Sequence, residues 1–215
     1  MNRRRFLKSG ALWVPTLFAI GRARGQVLTL ADPAMVGRTR PAGASLSCPA
    51  DGSPDISQDG STTQSIGEIA AYRFHGFFYT APATKQLCKV GFKMKTGAGD
   101  ISGKTYTAYV YTLSGTTLSS VITDGTSSGV SGSTITGTAG TKIFEFTGNP
   151  TLTSGTTYAI VATPGSTDAS NFCLFYYSSS GSMADATFGL WRDNLQNSYN
   201  PGGTVDAACS LFWYD

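Results

Sequence analysis

The chain has 215 residues, of which 13% are charged and 12% are aromatic, and its formal net charge is +3. Low charge together with many aromatic residues argues against a disordered chain and favours an ordered β-protein. The length fits one domain with a flexible lead-in.

The first 25 residues have the pattern of an export signal. A basic start precedes an apolar run of 13 residues at positions 9–21, which is too short for a membrane-spanning helix of about 20 residues. The start resembles the twin-arginine export signal of bacteria, and an ordinary secretory signal is the alternative. The residues that carry the resemblance are Arg3, Arg4, Phe6, Leu7 and Lys8.

Cleavage after Gly25 is expected to release a mature chain into the periplasm, onto the cell surface or outside the cell, with no membrane span. Six of the 16 basic residues and none of the 13 acidic residues lie in the signal, so the mature chain has 10 basic residues and a formal charge of −3. This balance gives no reason to expect nucleic acid as a partner.

Residues 26–65 have no sustained hydrophobic period and are rich in Pro, Gly, Ser and Asp, which predicts an irregular N-terminal arm. Asp51, Asp55 and Asp59 lie four residues apart, whereas a calcium loop of the EF-hand type takes ligands at alternate positions. We therefore expect a solvated loop there. With one histidine and no CxxC motif in the chain, no metal or other cofactor is expected.

Residues 66–215 have a different pattern, in which apolar and polar positions alternate. Cys88, Val90, Phe92 and Met94 share one parity, while lysines and glycines occupy the other, as in a half-buried strand. Similar stretches follow at 106–113, 143–146, 157–163, 172–177 and 209–214, bounded by turn residues. Short strands without a periodic helix predict an all-β fold, a two-sheet antiparallel β-sandwich. The Gly/Ser/Thr-rich stretch 123–141 predicts a long loop or edge strands.

Four phrases in this region resemble the jelly-roll modules of secreted bacterial surface proteins. They are FFYTAPATKQLCKVGFKMK, YTAYVYTLSG, KIFEFTGNPTLTSGTTYAIVAT and the terminal AACSLFWYD. The resemblance covers about residues 70–215 and implies a sandwich like those of carbohydrate-binding modules. A fold alone does not define a ligand.

Four cysteines in an exported chain predict disulfide bonds, and four cysteines allow three pairings. In jelly rolls the first and last strands are often neighbours, so the resemblance implies a bond between Cys88 and Cys209. Both lie on the apolar side of their strands. By elimination, Cys48 would then pair with Cys173 and hold the arm.

Catalysis is not expected from this sequence. The single histidine, His75, lies among aromatic residues, which suits a structural residue better than a general base. Glu145 stands between Phe144 and Phe146, so it should face solvent on a strand rather than form a catalytic carboxylate pair.

Binding is the more plausible activity. Tyr109 and Tyr111 lie on the strand face opposite Val110, about 7 Å apart, and two such rings suit sugar recognition. Trp191 precedes a polar loop with Arg192, Asn194 and Tyr199, although this tryptophan could instead fill the core. We therefore expect an exported, non-catalytic module that binds glycan or another envelope polymer. The alternative is a structural or adhesive cell-surface subunit that makes protein contacts, including self-association.

Overall fold

The computed structural model of the chain describes residues 47–68, 73–115, 117–178, 206–207 and 209–214. These residues form two antiparallel sheets that pack as a sandwich, which confirms the predicted fold class. The strands are β1 (Ile56–Gln58), β2 (Thr62–Ile66), β3 (His75–Thr80), β4 (Lys85–Ala98), β5 (Thr105–Ser114), β6 (Thr117–Thr126), β7 (Val130–Ser131), β8 (Gly140–Glu145), β9 (Thr151–Leu152), β10 (Thr157–Pro164), β11 (Phe172–Ser178), β12 (Asp206–Ala207) and β13 (Cys209–Trp213).

The large sheet is organised around β4, its longest strand. Its order is β1-β13-β4-β11-β12, with β2 paired to β11 and with β8 and β9 paired to β4. The small sheet has the order β3-β10-β5-β6, with β7 also paired to β5. Each predicted stretch of alternating residues is thus a strand of one of the two sheets. Part of the Gly/Ser/Thr-rich stretch forms the end of β6, the last strand on the path of the small sheet.

The core between the sheets is aromatic. Phe92 of β4 lies at its centre, with ring centroids 5.9 Å from Phe77, 5.7 Å from Phe144 and 5.0 Å from Phe175. Val110 of β5 is also fully buried. The alternation read from β4 and β5 therefore identifies the core faces correctly over most of their length, because side chains of a strand point to opposite faces in turn.

The alternation fails at Cys88, where β4 contains a bulge. Lys89 pairs with Phe212 while Leu87 pairs with Trp213, so Cys88 is an extra residue with no partner on β13. An inserted residue switches the preceding side chains of the strand to the opposite face of the sheet. Leu87 consequently belongs to the core cluster together with Trp213, and Cys88 does not, although it is buried.

The predicted disulfide pairing is wrong. Cys48 bonds to Cys88, and the buried Cys173 and Cys209 take no part in that bond. The expected adjacency of β4 and β13 is confirmed, but Cys209 lies opposite Phe92. Cys173 lies opposite Thr96. Positions four apart on a strand are separated by about 13 Å, which is too far for a disulfide between the remaining two cysteines.

The arm is attached to the large sheet more closely than its composition suggests. Residues 56–58 and 62–66, which we expected to be irregular, form β1 and β2. Besides the disulfide, three aspartates hold this segment. Lys89 Nζ lies 2.7 Å from Asp51 Oδ1, and Lys93 Nζ lies 2.6 Å from Asp59 Oδ1. The Trp213 amide donates a hydrogen bond of 2.8 Å to Asp55 Oδ2. The three aspartates are exposed, as expected of a solvated loop, but their contacts also attach the arm to the large sheet.

The predicted signal peptide and its cleavage site lie outside the described residues. Within the described part of the chain, no helix has the length and apolar character needed to cross a membrane.

Candidate functional site

The outer face of the small sheet carries the tyrosine pair, Tyr109 and Tyr111. Both lie on β5 opposite the core residue Val110, as the alternation predicts, and their ring centroids are 6.0 Å apart. They are half-buried rather than fully exposed. Both pack against a second apolar cluster, separate from the core between the sheets, whose buried members are Phe74, Phe78, Leu118, Ala159 and Val161.

This packing changes what the tyrosine pair offers a ligand. Burial, reinforced by the neighbouring Tyr109, raises the pKa of the Tyr111 phenol. Rings that pack into a cluster present less surface for stacking than rings standing free on a sheet. The tyrosine pair thus contributes to the stability of the small sheet, and its contact with a glycan stays a prediction. The other predicted binding residues, Trp191, Arg192, Asn194 and Tyr199, lie outside the described residues.

The large sheet has a more open polar site on its outer face, which we call the lysine–tyrosine groove. It is formed by Lys93 and Lys95 of β4, Tyr176 of β11 and Asp59 of the link between β1 and β2. The lysine Nζ atoms lie 5.1 Å and 5.9 Å from the centre of the Tyr176 ring. A cation within about 6 Å of an aromatic ring is attracted by the ring quadrupole.

Strand geometry explains why these side chains meet. Lys93 and Lys95 share the polar parity of β4, because Phe92 and Met94 between and beside them point into the core. The same rule places Tyr176 on the outer face of β11, because Phe175 before it is a core residue. Since β11 pairs with β4 through Phe175 and Met94, the tyrosine comes to lie beside both lysines.

Asp59 sets the electrostatics of the groove. Lys93 Nζ donates to Asp59 Oδ1 at 2.6 Å and to the Gly60 carbonyl at 3.1 Å. The hydrogen bond from Lys93 holds the pKa of the Asp59 carboxyl below its usual value, with a smaller contribution from the Gly60 amide. Asp59 and Lys93 thus form an ion pair in which the two charges largely neutralise each other.

The surface around this pair is concave and polar. Two adjoining shallow depressions of about 280 Å³ and 460 Å³ share Asp59 and Lys93. Ser57, Thr141 and Ser210 line the smaller one, and Tyr176 lines the larger one. Hydroxyl groups, a carboxylate and an ammonium offer both donors and acceptors to a polar ligand.

Only part of this groove could be predicted from the sequence. The polar parity of Lys93 and Lys95 is visible in the alternation of β4. The position of β11 beside β4 is not visible, because strand pairing depends on contacts between residues about 80 positions apart in the chain. Tyr176 could therefore not be assigned to the site in advance.

The two residues considered for catalysis, His75 and Glu145, lie in different surroundings. His75 is buried, with its ring centroid 5.6 Å from that of Phe175. Glu145 faces solvent as predicted, and its carboxylate lies 3.5 Å from Lys89 Nζ. In the described part of the chain, no three His, Cys, Asp or Glu side chains gather in a way that could hold a metal ion.

Comparison with known proteins adds no further information on this site. No family model, curated protein or solved structure matches the chain.

Proposed function

We propose that the chain is an exported, non-catalytic β-sandwich module that binds a glycan or another surface polymer. The observation that carries this proposal is the lysine–tyrosine groove, an open polar surface with an aromatic ring at one side. Shallow concave surfaces with donors, acceptors and an aromatic group suit polar ligands.

The shape of the groove favours an extended ligand. The two depressions are open and continuous through Asp59 and Lys93, whereas sites for small molecules usually enclose most of the ligand surface. A chain of sugar units can lie across both depressions without being enclosed. An extended polymer therefore uses more of this surface than a single sugar would.

Export is supported by two independent features. The N-terminal residues resemble a twin-arginine signal, and the Cys48–Cys88 disulfide is of a kind that persists in oxidising compartments. Replacing Arg3 and Arg4 by Lys should trap the precursor in the cytoplasm, which cell fractionation would detect. Unchanged export of that variant would contradict the twin-arginine assignment in favour of an ordinary secretory signal.

Binding can be tested directly with the mature chain, residues 26–215. We expect it to bind members of a glycan array and to sediment with an insoluble envelope polysaccharide. Tyr176→Ala should weaken this binding about tenfold, because few aromatic residues usually carry most of the binding energy. Tyr214→Ala is the matched control, since this half-buried tyrosine lines neither depression. A folded mature chain that binds no polymer would overturn the proposal.

A structural or adhesive subunit is the second candidate. Strand β6 ends the path of the small sheet, and five of its ten residues are exposed. An edge strand can pair with another chain. Light scattering in the absence of sugar distinguishes the two functions. Ordered, concentration-dependent assembly without polymer binding would favour the structural role.

A further inference from the structure

Resting on the proposed function, we infer that the lysine–tyrosine groove selects anionic glycans over neutral ones and that Lys95 carries the selectivity. The ligand class is a polysaccharide with carboxylate or sulfate groups. The argument depends on the charges along β4 and on the surroundings of Tyr176.

Lysines on the polar side of β4 differ in how they are neutralised. Lys89 lies within ion-pair distance of both Asp51 and Glu145, and Lys93 pairs with Asp59. Among the described residues, Lys95 forms no ion pair, and its ammonium lies over the Tyr176 ring. Lys95 lines neither depression, but it lies beside the larger one through its contact with Tyr176. The groove therefore has at its margin one ammonium without a carboxylate partner, on a chain whose mature form carries a net negative charge.

The Tyr176 ring interacts with cations here, whereas recognition of a neutral sugar would use the ring for stacking. A neutral sugar stacks on a free aromatic face, whereas the Tyr176 ring already attracts two ammonium groups. The ring steadies these cations at the surface, and a cation is the group that a carboxylate or sulfate recognises. An ammonium acts as a compact point charge with three donors, which suits anionic groups in several orientations.

Asp59 opposes anion binding at the same place. Its side chain is 82% exposed, so its charge faces the space that a ligand would enter. A polymer carboxylate near Lys93 must compete with Asp59 for that ammonium, whereas a carboxylate near Lys95 has no such competitor. This difference is the reason for assigning the selectivity to Lys95.

The experiment uses matched polymers that differ in charge alone. Polygalacturonate and hyaluronan would be compared with the same polymers after reduction of their carboxyl groups to alcohols, and chondroitin sulfate would be compared with a form that is both desulfated and carboxyl-reduced. We expect the mature chain to bind the anionic polymers at least about tenfold more tightly than the neutral ones. The preference should shrink as salt rises, because screening weakens exposed charge interactions.

Three variants separate Lys95 from a general effect of charge. Lys95→Gln should weaken binding of anionic polymers about tenfold, since a charge-assisted hydrogen bond is lost. Lys85→Gln removes the same charge from the exposed start of β4, about 34 Å away along the strand, and should change binding less than twofold. Asp59→Asn should strengthen binding of anionic polymers about threefold. Thermal unfolding would check that each variant is folded.

The outcomes distinguish this inference from the proposed function. Equal binding of charged and reduced polymers, or unchanged selectivity in Lys95→Gln, would overturn the inference and leave polymer binding intact. Binding to none of the polymers would overturn both. Tighter binding of a single-stranded oligonucleotide than of any glycan would reject the glycan as the ligand class.

Discussion

Tyr111 illustrates how a single residue can serve the fold rather than a ligand. Its position on the outer face of β5 gives, by itself, no reason to expect a loss of stability on truncation. Its ring instead packs with Tyr109 against the apolar cluster on the small sheet, and burial raises the pKa of its phenol. Removing a partly buried ring leaves unfilled space and exposes its neighbours.

Tyr111→Ala should therefore lower the free energy of unfolding by about 1–3 kcal/mol. Tyr111→Phe keeps the ring and should stay within about 0.5 kcal/mol of the wild type. Urea unfolding monitored by circular dichroism measures both. Equal stability of the Ala variant and the wild type would indicate that the cluster does not depend on this ring.

At the scale of single elements, β3 and β10 pair so closely that one position requires glycine. Gly76 lies opposite Val161, and a Cβ at this position would be 1.9 Å from the Ile160 carbonyl oxygen and 2.5 Å from the Val161 Cα. Both contacts are with backbone atoms, which cannot move aside as a flexible side chain can. The two strands would have to separate to accept any larger residue.

Gly76→Ala should consequently cost about 2–3 kcal/mol of unfolding free energy. Gly165→Ala is the control, because no atom lies within 4 Å of the corresponding Cβ position. It should change stability by less than about 0.5 kcal/mol. Thermal or urea unfolding of the two variants gives the comparison, and similar effects at both positions would contradict the close approach of β3 and β10.

The N-terminal arm is an element held by one covalent bond. The Cys48–Cys88 disulfide joins residues 40 positions apart, and loop closure of that length is worth about 4 kcal/mol if chain entropy dominates. Cys48→Ser should lower the free energy of unfolding by about 2–4 kcal/mol and make the arm more sensitive to protease.

Peptide mapping without reductant checks the underlying assignment. It should recover a fragment linking Cys48 to Cys88 and leave Cys173 and Cys209 available for alkylation once the chain is unfolded. In the folded chain, burial raises the pKa of the Cys173 thiol to about 12, so that thiol should resist alkylation near pH 8. A bond between Cys88 and Cys209 would contradict the register described here.

For the whole molecule, several carboxylates titrate at lower pH in the folded chain than in the unfolded one. Lys93 lowers the pKa of Asp59, the Ser102 amide lowers that of Asp100, and the Asn171 side chain lowers that of Asp168. A depressed carboxyl pKa stabilises the folded state above the unfolded pKa, and this contribution is lost as pH falls through the folded value.

The melting temperature should therefore vary little between pH 7 and about pH 5 through these groups and fall below about pH 4. Circular dichroism melts over this range measure the effect. Replacing Asp59, Asp100 and Asp168 together by Asn should make the acid-side decrease less steep. An increase in melting temperature on acidification would contradict the contribution of these carboxylates.

Local patterns in the sequence were sufficient to predict the sandwich. The alternation of β4 and β5 identified Phe92 and Val110 as core residues, because strand parity depends on neighbouring positions alone. The same rule identified Glu145 as solvent-facing. It also placed Tyr109 and Tyr111 on an outer face, although it could not reveal the apolar cluster that half-buries them.

Tertiary structure decided the features that depend on register between distant strands. The bulge at Cys88 reverses side-chain parity and moves this cysteine towards Cys48. No local pattern signals this inserted residue, because the bulge is defined by pairing with β13, which is distant in the sequence. The lysine–tyrosine groove exists because β11 lies beside β4 and brings Tyr176 to Lys93 and Lys95. Sequence by itself determined the face of most strand side chains, with Cys88 as the exception, and the pairing of the strands determined which side chains meet on that face.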